Sequence, residues 1–149
     1  MDKGDKHMKI KVLLVDDEQQ FVETLAQRLE TRGFVVDTAL ESDRCLAILR
    51  DKDMDVVVLD VQMPGRSGID TLKEIKKLRP LTEVIMLTGH ATVETAIEGM
   101  KLGAFDYLMK PTEIDELVDK INRAHARKAE HEERILQAKI KGITQKSGW

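Results

Sequence analysis

Val56-Val57-Val58-Leu59-Asp60-Val61-Gln62-Met63-Pro64-Gly65 joins four aliphatic residues to a carboxylate and then to a turn-forming segment. A short β-branched run without polar alternation reads as a strand covered on both faces. Three other runs are built the same way. Val12-Leu13-Leu14-Val15 precedes Asp16-Asp17-Glu18, Val84-Ile85-Met86-Leu87 precedes Thr88, and Tyr107-Leu108-Met109 precedes Lys110-Pro111. In an open parallel α/β sheet, ligands bind outside the carboxyl ends of the strands. Parallel strands here would therefore gather three carboxylates, a hydroxyl and an ammonium at one crevice.

Working outward, strands are expected over Lys9–Val15, Phe34–Thr38, Asp55–Asp60, Glu83–Thr88 and Phe105–Met109. The segments between them have helical spacing. Phe21, Val22, Leu25 and Leu29 are followed by Gly33 as a stop signal, and Ser42 to Leu49 carries Leu46 and Leu49 inward. Ile69, Leu72, Ile75 and Leu78 end before Pro80. Val93, Ala96, Ile97 and Met100 make a fourth stripe closed by Gly103, and Ile114, Leu117, Val118 and Ile121 begin a fifth. Five strand-helix alternations imply parallel strands joined by right-handed crossovers, an α/β doubly wound sheet.

After Arg123 the pattern changes. Helix propensity stays high, with no breaker until Gly142. A sparse 4-3 spacing runs through Leu117, Ile121, Ala124, Lys128, His131, Ile135 and Ala138, though two of these positions are charged or titratable. A solvated helical tail or linker and a dimerising or partner-binding helix are both open.

The 149 residues suit one domain with a real core, and 42% hydrophobic content argues against bulk disorder. A net charge of −3 gives no general drive toward nucleic acid or membrane. The single cysteine, Cys45, excludes an internal disulfide framework and reads as a core or boundary residue. Met1 to Lys9 is charged and polar, unlike a signal peptide, and no apolar stretch approaches the roughly 18 residues of a membrane span. A soluble cytoplasmic protein is the expectation.

The strand-end residues suit phosphoryl chemistry over a divalent cation. Asp60, kept accessible by the turn after it, is the candidate nucleophile, since a carboxylate can attack phosphorus and form an acyl phosphate. Asp16 and Asp17 beside a third carboxylate repel one another and call for a counter-ion. Mg²⁺ fits, with Mn²⁺ as an alternative, because it is a hard ion that takes one or two carboxylates plus phosphate and keeps several waters. Lys110 supplies a point charge for phosphoryl oxygens and Thr88 a hydroxyl. Glu18 could influence the same site, but it also sits where a first-turn acid favours a helix N-terminus, which is the preferred reading.

The whole pattern, roughly from Lys9 to Ala126, resembles the receiver domain of two-component response regulators, with Asp16, Asp17, Asp60, Thr88 and Lys110 all in place. The resemblance implies strand order 2-1-3-4-5. It divides the chain into an N-terminal tail (1–8), a receiver domain (9–126) and a helical extension or linker (127–149). It implies that Asp17 and Asp60 ligate Mg²⁺ directly, Asp16 mainly through water, and Gln62 through its carbonyl, with a cis peptide at Lys110-Pro111. It makes Thr88 and Tyr107 a switch pair, and Gln62 and His90 the residues that tune loss of the phosphate. The implied donor is a phosphohistidine on a sensor histidine kinase. The implied output is a changed face of fourth helix, fifth strand and fifth helix that controls a downstream protein or output domain. His7, His125 and His131 show no metal-ligand spacing. The run from Thr88-Gly89-His90-Ala91 to Tyr107 looks like receivers attached to ATPase-type transcriptional activators, which keeps a homodimer open.

Other classes fit less well. A dehalogenase-type phosphatase places a second acid two residues after its nucleophile, where this chain has Gln62. A nucleotide-binding module needs a Gly-rich loop after the first strand, where Asp16-Asp17-Glu18 would repel a pyrophosphate. About 25 residues beyond the receiver are too few for a helix-turn-helix unit with its own core, so no direct nucleic-acid contact is expected. A receiver-like module that binds partners without phosphorylation is the remaining alternative.

Overall fold

The computed structural model describes residues 9–63, 65, 67–89 and 92–146. Five parallel strands, β1 (Lys11–Val15), β2 (Val35–Ala39), β3 (Val56–Leu59), β4 (Glu83–Thr88) and β5 (Asp106–Met109), alternate with five helices. The helices are α1 (Gln19–Glu30), α2 (Ser42–Asp51), α3 (Gly68–Leu78), α4 (Val93–Lys101) and α5 (Ile114–Lys146). The sheet order is β2-β1-β3-β4-β5. Strands β1 and β2 start later than the sequence suggested because their pairing begins at Lys11 opposite Val35.

Alternation along each strand divides the core. Leu13, Val15, Val57, Leu59, Val84 and Met86 face α2 and α3 with Cys45, Leu49, Leu72 and Ile75. Val12, Leu14, Val56, Val58, Ile85 and Leu87 face α1 and α5 with Val22, Leu29, Leu117 and Ile121. Both faces are covered, which is why these strands carry no polar alternation.

The stripe on α4 is not buried as its spacing suggested. Val93 is 75% exposed, Ile97 50% and Met100 46%. Gly99 faces the sheet instead, and a Cβ there would lie 2.2 Å from the Met86 methyl. The glycine lets Met86 fill the contact, and the larger apolar side chains are left outward.

Helix α5 is one uninterrupted helix of 33 residues that passes through Gly142. Four positions of the 4-3 spacing, Leu117, Ile121, Ala124 and Lys128, are buried against the chain's own sheet. They are spent inside the fold, and Ile135 is exposed further along. The anchor is ionic. Glu83, at the amino end of β4 and 1% exposed, accepts a two-pronged bond from the Arg127 guanidinium, with Lys76 3.8 Å away. Lys128, 3% exposed, lies 3.3 Å from Asp55, 3.4 Å from Asp53 and 3.1 Å from Glu132.

Candidate phosphoacceptor and metal site

Backbone pairing continues past the strand ends and sets the site residues side by side. The Asp60 amide donates to the Val15 carbonyl at 2.9 Å, the Asp16 amide to Ala39 at 3.1 Å, and the Lys110 amide to Thr88 at 2.9 Å. Asp16, Asp60, Thr88 and Lys110 thus occupy neighbouring rungs at the carboxyl edge. The Lys110-Pro111 peptide is cis.

Asp16, Asp17 and Asp60 each bring a carboxylate oxygen within 4.8 Å of the other two. Asp16 and Asp60 are buried and Asp17 is exposed, so the cluster opens to solvent on one side. Three hard oxygen donors with an open side fit a divalent cation that keeps part of its water. Two carboxylates are held by local backbone: Asp16 Oδ1 accepts from the Glu18 amide at 3.0 Å, and Asp60 Oδ1 from the Gln62 amide at 3.1 Å. Gln62 itself is exposed.

Lys110 closes the crevice. Its Nζ donates to Asp16 Oδ2 at 2.6 Å and to Glu18 Oε1 at 3.1 Å, and lies 3.8 Å from Asp60 Oδ2. The Phe21 ring sits beneath the same ammonium, 4.3 Å from its centroid. Burial pushes the Asp16 carboxyl up, helped by the Asp60 charge, and the bonds from Lys110 and the Glu18 amide only partly offset it. Burial alone would pull Lys110 down, but its bonds to Asp16 and Glu18 outweigh that and hold it above the ordinary lysine range.

Thr88 is fully buried at the end of β4. Tyr107 pairs across β4 with Met86, is half-buried, and its hydroxyl donates to Met109 Sδ at 3.5 Å. His90 lies outside the described residues.

Two contributors depart from the sequence expectation. Of the two roles open to Glu18, the structure favours the site over the preferred helix start: its side chain makes no cap bond and pairs with Lys110. Phe21 was read only as part of a core stripe. The signal for Glu18 was a third acid adjacent to the pair; for Phe21 none existed, because its contact spans the fold.

The fold and crevice define an open parallel α/β protein with a carboxylate cluster and a lysine at its strand ends. The family model for the response regulator receiver domain matches residues 12–122, and the chain belongs to that family. Such domains are signalling domains of two-component systems and not conventional enzymes. The chain is 38% identical over 135 residues to a putative NtrX-like response regulator of Rickettsia conorii, covering 89% of this chain and 28% of that protein. A receiver domain from Clostridium thermocellum superposes with a TM-score of 0.77 at 43% identity, over 80% of this chain and 97% of that one. A response regulator from Burkholderia pseudomallei, solved with a phosphorylated aspartic acid, a calcium ion and citrate, gives 0.73 at 29% identity, over 83% and 73%. Among the described residues no helix is long and apolar enough to cross a membrane.

Proposed function

We propose that this chain is a phosphorylation-dependent switch in which Asp60 accepts a phosphoryl group from a sensor kinase's phosphohistidine. The carrying observation is the trio Asp16, Asp17 and Asp60 within 4.8 Å, with the Lys110 ammonium 3.8 Å from Asp60. An Asp60 oxygen attacks phosphorus as the P–N bond to the donor imidazole breaks, and the imidazole keeps the electron pair. Charge on the transferring oxygens is then the main obstacle, and positioned cations are the remedy. Lys110 supplies one. Mg²⁺, or Mn²⁺, held by Asp17 and Asp60 directly, by Asp16 through water and by the Gln62 carbonyl, would neutralise further charge at the phosphoryl oxygens. The Burkholderia structure, with a phosphorylated aspartic acid and a calcium ion, supports this reading by analogy.

Once phosphorylated, Asp60 carries roughly −1.5 to −2 charge. The Thr88 hydroxyl hydrogen-bonds a phosphoryl oxygen, and Tyr107 follows, shifting α4, β5 and α5 between two populated arrangements. Gln62 and His90 tune access of water to the phosphate. Residues 9–126 form the receiver domain, and 127–149 an extension anchored at Arg127 and Lys128. The downstream partner is a protein or output domain. A homodimer through α4 or α5 belongs to the same reading.

Intact mass after acetyl phosphate and Mg²⁺ tests this. Wild type should gain one phosphoryl group of about 80 Da, lost on chelation, and Asp60→Asn should gain none. No gain in either, together with no beryllofluoride binding, would replace the switch with a module that binds partners without phosphorylation.

A further inference from the structure

The geometry points to Phe21 as a positioning residue that carries Lys110 between its resting and working places. This rests on the reading that Lys110 serves a phosphoryl group on Asp60. At rest the ammonium sits on the wrong carboxylates: 2.6 Å from Asp16, 3.1 Å from Glu18 and 3.8 Å from Asp60. A charge-assisted bond of about 2.8 Å to Asp60 Oδ2 itself, as phosphorus is attacked, would take about 1 Å of travel from the 3.8 Å separation. Each ångström moved weakens the bonds to Asp16 and Glu18, because such bonds are short and directional.

The Phe21 contact behaves differently. A ring face attracts a cation out to about 6 Å from its centroid. Starting 4.3 Å away, an ammonium that shifts by about 1 Å in any direction remains within that range. The ring carries no net charge, so it does not compete with the phosphoryl group as a third carboxylate would. It is also fixed in place. Phe21 packs onto the core beside Leu25. Phe21 lines a cavity of about 200 Å³ with Leu87, Pro111 and Leu117. The same ring lines a smaller cavity shared with Asp16 and Asp60. The side chain therefore borders both the acid crevice and the apolar space beside α5, with the Lys110 ammonium over its ring.

The test is the rate of phosphorylation of the full chain by acetyl phosphate with Mg²⁺, with the saturating rate constant and the half-saturating donor concentration measured separately. Phe21→Leu should lower the rate constant about 3- to 10-fold and leave half-saturation unchanged. Phe21→Trp, with the stronger ring, should restore it to within about 2-fold of wild type. In a Lys110→Met background, Phe21→Leu should have no further effect, whereas a purely structural role would lower the rate by the same factor in both backgrounds. Equal loss in both backgrounds, no loss in Phe21→Leu, or failure of Phe21→Trp to restore the rate in a folded protein overturns the inference alone. Wild type that takes no phosphoryl group overturns the underlying reading, and the inference falls with it.

Discussion

Cys45 is fully buried, and burial pushes its thiol up to about 12. At pH 8 only about one thiolate in ten thousand would exist, so alkylation should need unfolding and should be at least a thousandfold slower than for an exposed thiol. The folded thiol holds its proton more firmly than the unfolded one, whose ordinary value is 9.0. Its contribution to stability is therefore complete below about pH 9 and is lost as pH rises toward 12. Cys45→Ala should show a shallower alkaline decline in denaturation midpoint than wild type; equal slopes would count against this. Asp16, Asp17, Asp60, Thr88 and Lys110 were legible because each ends or follows a strand whose run is visible in the chain. Glu18 was legible only as one of two options and Phe21 not at all, because the direction of a side chain at a helix start is decided by what lies across the crevice.

Two helix glycines make close approaches of different hardness. A Cβ on Gly68, at the start of α3, would fall 2.3 Å from the Val61 Cα and 2.6 Å from its carbonyl oxygen, both backbone. On Gly99, in α4, it would meet the end of the Met86 side chain. Backbone cannot rotate away and a methionine tip can. Gly68→Ala should therefore cost about 2–3 kcal/mol and disturb the turn after Asp60, while Gly99→Ala should cost about 1 kcal/mol. Urea titrations of the two would decide; equal costs would argue against this ranking. Strands β1, β3 and β4 were readable at this scale because doubly covered strands are continuous apolar runs, whereas the sheet order came only from the family resemblance. The outward stripe of α4 was not, because periodicity finds an apolar face without saying whether a glycine beside it takes the contact.

The whole molecule has two charged poles. The carboxyl edge of the sheet holds the acid cluster, and the amino edge holds Glu83, Asp53 and Asp55 against Arg127 and Lys128. Occupation of the first should stabilise the fold: Mg²⁺ at a hundredfold its Kd adds about 2.7 kcal/mol, or about 5–10 °C in Tm. Calorimetry should show that rise in wild type and its loss in Asp17→Asn. At the second pole, Arg127→Ala leaves the buried Glu83 with Lys76 alone. A fully buried pair loses about 3–5 kcal/mol on removal of one partner. The Arg127 side chain is 41% exposed, so about 2 kcal/mol is expected after solvent screening. A loss below about 0.5 kcal/mol on chemical denaturation would show the clamp to be incidental.

That clamp makes α5 a lever with its fulcrum at the amino edge of the sheet. Residues 129–146 extend about 27 Å beyond Lys128 at helical rise. A rotation of about 10° at the fulcrum would carry the far end sideways by about 5 Å, about half the diameter of a helix with its side chains. Whatever is joined to, or rests on, that arm would receive a sub-ångström change in the sheet as a displacement the size of a side chain.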